Sequence, residues 1–207
     1  MYVPDSFKIE DEAQLASFME RYDFVTMVSA PASGLVATHL PILLRRDAGG
    51  LTLVGHVARA NPHGKLMTGA LEALVVFQGP HAYVSPSWYA QAPAVPTWNF
   101  AVVHAYGRPQ AVHDAAFTER VVRELTLRYE GGRPSPWRLD DTPAEFRERL
   151  LGAIVAFEMR VDRLEGKYKL GQNRPPEDRA GTIAGLQQDG TTEAIALADF
   201  MRAYEGR

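Results

Sequence analysis

Leu15, Phe18, Met19 and Tyr22 recur at helical spacing near the N-terminus, with acidic residues crowded ahead of them. That stripe, with negative charge where the helix dipole favours it, predicts an amphipathic helix over residues 9–22. Phe24–Ser29 is a compact β-prone run. Residues 34–44 follow it across a Pro/Ala/Ser/Gly turn, which predicts a hairpin. Asp47-Ala48-Gly49-Gly50 is a strong turn signal ahead of a strand over 51–57. Asn61 suits an N-cap and Pro62 a first helical position, so a short helix is expected from Pro62 to about Ala70. Residues 73–78 read as a buried-type strand running on to Tyr83 and Ser85. Two more strands are expected at 99–106 and 108–113, with a bulge or bend at Gly107.

In the second half Asp114 caps a helix whose apolar face is Phe117, Val121, Val122, Leu125 and Tyr129, ended by Gly131-Gly132. Thr142-Pro143-Ala144-Glu145 spells a capping box for a helix reaching about Leu151. Val155, Phe157, Met159 and Val161 alternate with Ala156, Glu158, Arg160 and Asp162, the mark of a half-buried strand. Residues 166–176 are too polar for a core strand. They read either as a segment pinned over an anionic or polar ligand or as a charged surface turn. A helix over 177–187, a break at Gly190 and a last helix capped by Thr191 or Thr192 follow, with Ile195, Ala198 and Met201 on one side. Seven or so strands with tight turns and four or five helices make the fold mainly β with α additions, built on an antiparallel barrel. Without repeats or a clear linker, 207 residues read as a single domain over 1–207, with helical additions at about 114–151 and 176–205.

Composition narrows the chemistry. The absence of cysteine excludes disulfides, thiolate metal sites and thiol nucleophiles. A net charge of −3 with interspersed signs gives no basic face for nucleic acid. No apolar run approaches the ~20 residues of a membrane span, and no signal-type core opens the chain, so a cytoplasmic protein without membrane contact is expected. All six histidines lie between His39 and His113, yet none forms an HxH or HxxxH pair with acidic neighbours, so no metal site is assigned. His39, His56 and His104 are expected to hydrogen-bond from strands. No GxSxG elbow, GxGxxG turn or GxxxxGK[ST] loop is present, and no residue stands out as catalytic.

Two features point to a ligand. Two of the three tryptophans, Trp88 and Trp98, sit beside prolines and polar side chains in the stretch 79–107. Rigid apolar walls with a few orienting polar groups suit a flat aromatic ligand, although the same residues also suit a hairpin filling a core. The step from strand into the helix at Asn61-Pro62 offers an anion site flanked by Arg59 and Lys65, with Thr38 or His39 approaching from the neighbouring strand. An ordinary solvent-exposed cap with two surface cations is the other reading.

Five ordered motifs, 37–41 (Ala-Thr-His-Leu-Pro), 55–62 (Gly-His-Val-Ala-Arg-Ala-Asn-Pro), 83–89 (Tyr-Val-Ser-Pro-Ser-Trp-Tyr), 95–104 with Trp98, Asn99 and His104, and 169–174 (Lys-Leu-Gly-Gln-Asn-Arg), together with the opening Met1-Tyr2-Val3-Pro4, resemble the PaiB-type FMN-binding family over nearly the whole chain. The resemblance implies an antiparallel, Greek-key-like split β-barrel of the pyridoxamine-phosphate-oxidase type, a homodimer with FMN at the subunit interface. It places Arg59, Asn61 and Lys65 at the phosphate, and Thr38 and His39 near the ribityl chain or ring. Trp88, Trp98 and Asn99 would line the isoalloxazine. Lys169, Gln172, Asn173 and Arg174 would close the site from the partner subunit, and His56 and Ser85 belong to the same motifs. Members are described as negative transcriptional regulators, so DNA enters by family analogy alone. Three roles stay open: a flavoprotein with FMN-dependent oxidoreductase activity, a transcriptional regulator or ligand-sensing module without catalysis, and a haem-binding relative on the same barrel. The chain departs from the family pattern at Gly64, in the short loop 90–94 and at Gly171, where serine is frequent.

Overall fold

In the computed structural model, which describes residues 1–206, the elements are β1 (Lys8–Ile9), α1 (Glu12–Arg21), β2 (Phe24–Ser29), β3 (Val36–Pro41), β4 (Leu43–Asp47), β5 (Gly50–Ala58), β6 (Ala73–Val84), β7 (Thr97–Gly107), β8 (Gln110–Val112), α2 (Ala115–Glu130), α3 (Ala144–Gly152), β9 (Ile154–Lys169), α4 (Pro176–Asp189) and α5 (Thr192–Glu205). Hydrogen-bonded neighbours run β3-β2-β6-β7-β9-β5-β4, with β1 and β8 both pairing with β9. The architecture is the split barrel expected, mainly antiparallel β with helical additions. The residues fall into two compact units. One comprises Met1–Phe18, Gln78–His104 and the chain from Glu165 onward; the other comprises Met19–Phe77 and Ala105–Leu164. Strands β6, β7 and β9 contribute residues to both.

In the second unit, β4, β5, β8 and β9 pair antiparallel, with Val54 opposite Glu158 and His56 opposite Ala156. Helix α2 lays Phe117, Val121 and Leu125 onto Leu43, Val54 and Ala156. Burial of each such side chain contributes roughly 1.5–3 kcal/mol before chain entropy is counted. Asp114 caps α2 by accepting from the Ala116 and Phe117 amides at 3.0 and 3.2 Å. Gly107 closes β7 where any Cβ would overlap the Arg160 carbonyl oxygen, so the expected bend is a point of close backbone approach. The first unit gathers Tyr168 and Phe200 with ring centroids 5.2 Å apart, Phe18 5.2 Å and Tyr204 5.9 Å from Tyr168, over α5. A Cβ on Gly79 would lie 2.6 Å from Phe18 Cζ, which is why the strand carries glycine there.

Five local expectations need correcting. The run 34–44 is two strands, because buried Ile42 turns its amide to the Asp23 carbonyl at 2.9 Å and the chain changes partner from β2 to β5. The helix after Asn61 is a 3-10 turn over Pro62–Leu66, five residues long. Thr142 makes no capping box; its hydroxyl donates back to the Leu139 carbonyl, and Pro143 takes the N-cap position of α3 without a side-chain bond. The polar tract 166–176 is strand as far as Lys169, with Gly166 and Tyr168 inward and Lys167 and Lys169 on the other face, and turn from Leu170 to Pro175. On α5 the buried face is Ala194, Leu197, Ala198 and Met201, and Ile195 is exposed.

Candidate functional site

Thr38, on β3, is the hub of a hydrogen-bonded cluster in the second unit. Its hydroxyl receives the Asn61 amide (Nδ2) at 3.2 Å and lies 3.0 Å from His63 Nδ1. The other ring nitrogen of His63 lies 2.9 Å from Ser29 Oγ on β2. Asn61 Oδ1 accepts the His63 backbone amide at 2.9 Å, so the Asn-Pro-His turn and the imidazole brace one another. His63 and Ser29 are buried; Thr38 and Asn61 reach the surface in part. Burial pushes the His63 imidazole below its ordinary pKa and holds it neutral. Reading the sequence for cations and caps missed His63 and Ser29. The signal was the histidine directly after Asn61-Pro62, opposite a hydroxyl-bearing strand.

The neighbouring assignments divide. His39 follows Thr38 in the strand and therefore faces the other side of the sheet, where its Nδ1 lies 3.0 Å from Thr26 Oγ1 as a cross-strand pair. Thr38 and His39 cannot both address one ligand from one face. Arg59 donates through Nε to Gly152 O at 2.7 Å and through Nη2 to Ile154 O at 3.0 Å, holding the start of β9. Lys65 is exposed in the 3-10 turn. That turn is too short to sum a useful dipole, so the anion-site argument from a helix start fails. His56 shares the face of Val54. Its Nδ1 is buried without a hydrogen bond among the described residues, against the strand bond expected of it, and burial lowers its pKa. A cavity of about 580 Å³ beside Arg59 is lined by Asp114, Glu119 and Glu148, a balance of charge that disfavours phosphate.

In the first unit, Trp98 on β7 is 55% exposed, with Tyr83 edge-on at 6.3 Å and His81 tilted at 6.4 Å, both from β6. A cavity of about 300 Å³ opens beside these three rings. Lys169 donates to Thr97 Oγ1 and to Trp98 O, each at 2.6 Å. Burial, and then the charges of Lys167 and Arg174, lower its pKa. An ammonium held beside two other cations suits an anionic or electron-rich ligand. The exposed indole offers a wall for a flat ring such as a flavin's, while the carboxylates of Asp189 and Glu193 on the same cavity disfavour a phosphate there.

Other expected ligand residues serve the frame. Ser85 caps the turn Pro86–Trp88 by accepting the Ser87 amide at 3.2 Å. Trp88 packs against α4, where Gly185 leaves room for its ring. Asn99 is buried, with its amide 3.9 Å from Met201 Sδ, and so does not line an open site in this chain. Gln172 folds the turn after β9, accepting from Leu170 N at 2.8 Å and donating to Tyr168 O at 2.6 Å. Asn173 is exposed, and Arg174 lies over the Tyr89 ring at 4.5 Å, 3.9 Å from Asp178 Oδ2. Gly171 has φ +84°, a backbone conformation that glycine takes without strain and a side chain would resist. Among the described residues no group of three His, Cys, Asp or Glu could hold a metal ion, and no helix is long and apolar enough to cross a membrane.

Comparison with known proteins agrees with this chemistry. The family model described as "Putative FMN-binding domain" matches residues 1–163. The chain is 33% identical over 204 residues to the protease synthase and sporulation protein PAI 2 of Bacillus subtilis, covering 97% of this chain and 96% of that one. Among solved structures it is similar to an FAD- and haem-binding protein from Mycobacterium smegmatis (TM-score 0.61, 18% identity, 84% of this chain and 78% of that one). It is equally similar in fold to the flavocytochrome Anf3 of Azotobacter vinelandii (TM-score 0.61, 15% identity, 84% and 75%).

Proposed function

From the premise that this chain belongs to the PaiB-type FMN-binding family, with FMN as its cofactor, we propose that it is a homodimeric flavoprotein with the flavin at the subunit interface and a redox role. The observation that carries the reading is the family match over residues 1–163, within which a buried histidine holds the Thr38–Asn61 pair in place. The bound flavin supplies electron transfer through its ring; the chain binds, orients and shields it. Thr38 and Asn61 offer polar recognition, with Lys65 an added cation. Trp98 offers an exposed stacking face, and Lys169 a fixed positive charge that would favour electron density on a neighbouring ring. Within the first unit, Trp88, Asn99 and Gln172 hold the frame around Trp98 and Lys169. Arg59 ties down the start of β9.

The test is the absorbance spectrum of protein purified without added cofactor, followed by titration with FMN. Flavin bands and saturable quenching of FMN fluorescence are expected, with light scattering at twice the chain mass. A folded, colourless sample that ignores saturating FMN overturns the proposal. Haem is the second reading, favoured by the two neighbours whose names join haem or cytochrome to flavin, and a Soret band would select it. Reduction of the flavin by NADH or NADPH with turnover would make the protein an enzyme. Salt-sensitive binding to operator DNA would make it a regulator.

A further inference from the structure

The Ser29–His63–Thr38–Asn61 cluster fixes the direction in which the Thr38 proton points. Ser29 is buried on β2, and among the described residues His63 Nε2 is its side-chain partner. A neutral imidazole carries one proton, so two arrangements compete. If Nε2 carries it, His63 donates to Ser29, whose own O–H is then left inside the protein with no side-chain acceptor. Leaving a buried donor unmade costs roughly 1–3 kcal/mol. If Nδ1 carries it, Ser29 donates to Nε2 and His63 Nδ1–H donates to Thr38 Oγ1. Every buried donor is then satisfied. Thr38 now accepts twice, from His63 Nδ1 at 3.0 Å and from Asn61 Nδ2 at 3.2 Å. Both lone pairs are occupied, and its remaining O–H turns to the partly exposed side.

We infer that His63 is a positioning residue which, through Thr38, presents a directed hydroxyl donor to an oxygen acceptor of the flavin. The inference rests on the flavin reading for its ligand and on the hydrogen-bond geometry for its direction. The acceptor is an oxygen of the phosphate, the ribityl chain or a ring carbonyl, and a ligand group that must donate is disfavoured at Thr38. Asn61 and Ser29 complete the arrangement, the first by supplying the second donor to Thr38 and the second by setting the His63 tautomer. The burial that keeps His63 neutral matters here, because an imidazolium would donate at both nitrogens and turn the Ser29 proton away.

Two measurements test this. Long-range proton–nitrogen NMR of the unliganded protein reads the tautomer without any flavin: protonated Nδ1 and bare Nε2 on His63 are expected, and protonated Nε2 overturns the inference. Titration of wild type, T38V, H63F and the double variant with FMN and with riboflavin reads the consequence, at pH 7.5 and with folding checked by circular dichroism. Each single variant should weaken FMN about tenfold, the scale of one directed hydrogen bond, and the double variant should be no weaker than T38V within about twofold. H63Q, which can still donate to Thr38, should stay within about threefold of wild type and guards against a fold defect in H63F. A loss for FMN alone places the acceptor on the phosphate, and an equal loss for riboflavin places it on the ribityl chain or ring; both support the inference. Additive losses in the double variant, or undiminished affinity in T38V, overturn it. A wild type that binds neither flavin, with Nδ1 protonated, sinks the flavin reading and the ligand named here while leaving the hydroxyl direction standing.

Discussion

Trp88 sits against Gly185: a methyl group at that glycine would overlap Cγ, Cδ2 and Cε2 of the indole. One turn earlier, a Cβ on Gly181 would overlap the Trp88 carbonyl oxygen. Asp178, a further three residues back on the same face of α4, accepts the Ala90 and Gln91 amides at 2.9 and 3.3 Å. The three positions form a rail on which the loop after β6 is docked. Gly185→Ala sets two effects against each other. Alanine gains about 1 kcal/mol in helix propensity, whereas overpacking a filled contact costs typically 1–3 kcal/mol. Overlap with a whole ring, wedged by a buried helix position, should win. Lower thermal stability with a shifted Trp emission is expected, and a stabilised protein would show the ring free to move.

The rail's polar end makes a separate prediction. Asp178 is fully buried, and its Oδ1 serves two backbone amides while Oδ2 lies 3.9 Å from the Arg174 guanidinium. Asp178→Ala leaves those amides without their acceptor, at a cost of roughly 1–3 kcal/mol. Asp178→Asn keeps an acceptor oxygen and should cost less. Limited proteolysis between residues 86 and 96 should accelerate in the alanine variant ahead of global unfolding, and equal protection in both variants would refute the docking role.

This rail also shows how far the sequence could be read. The strand and helix runs were visible because hydrophobic periodicity records which face is buried, as in β2, α2 and the first half of β9. The role of Trp88 was not, since the residues that receive it are glycines 93 and 97 positions later, and a glycine announces room without naming its occupant. Asn99 and Gln172 looked like ligand residues for the same reason: polar types in a motif do not say whether their partner is a ligand or the backbone. Thr38 and Asn61 were legible as polar groups near a turn. His63 was hidden, because an imidazole enclosed by hydroxyls leaves no charge pattern in the sequence.

His63 and His56 make stability depend on pH. Burial lowers both pKa values from the ordinary 6.5, so the unfolded chain takes up protons before the folded one does. Their contribution is complete above that value and is lost as pH falls below it toward the folded pKa values. The slope can reach about 1.4 kcal/mol per pH unit for each ring. Chemical denaturation across pH 8 to 5 should show stability falling on the acid side, and H63Q should flatten the fall. A profile identical in H63Q and wild type would mean that His63 is no more buried than in the unfolded chain.

The two tryptophans should separate stability from binding. Trp88 is half-buried on the α4 rail, and its truncation removes contacts and leaves a void beside Gly185, which should cost about 2–4 kcal/mol. Trp98 is 55% exposed and touches Tyr83 edge-on, so Trp98→Ala should move stability by no more than about 1 kcal/mol. Affinity for FMN should behave in the opposite way. Loss of an exposed stacking face should weaken binding about tenfold in the Trp98 variant, while the Trp88 variant, measured below its unfolding transition, should bind within a few-fold of wild type. Trp98→Phe, which keeps a flat ring, should restore most of the affinity. If Trp98→Ala binds FMN as tightly as wild type does, the exposed indole is not the flavin's wall, and the ring must lie elsewhere on the chain.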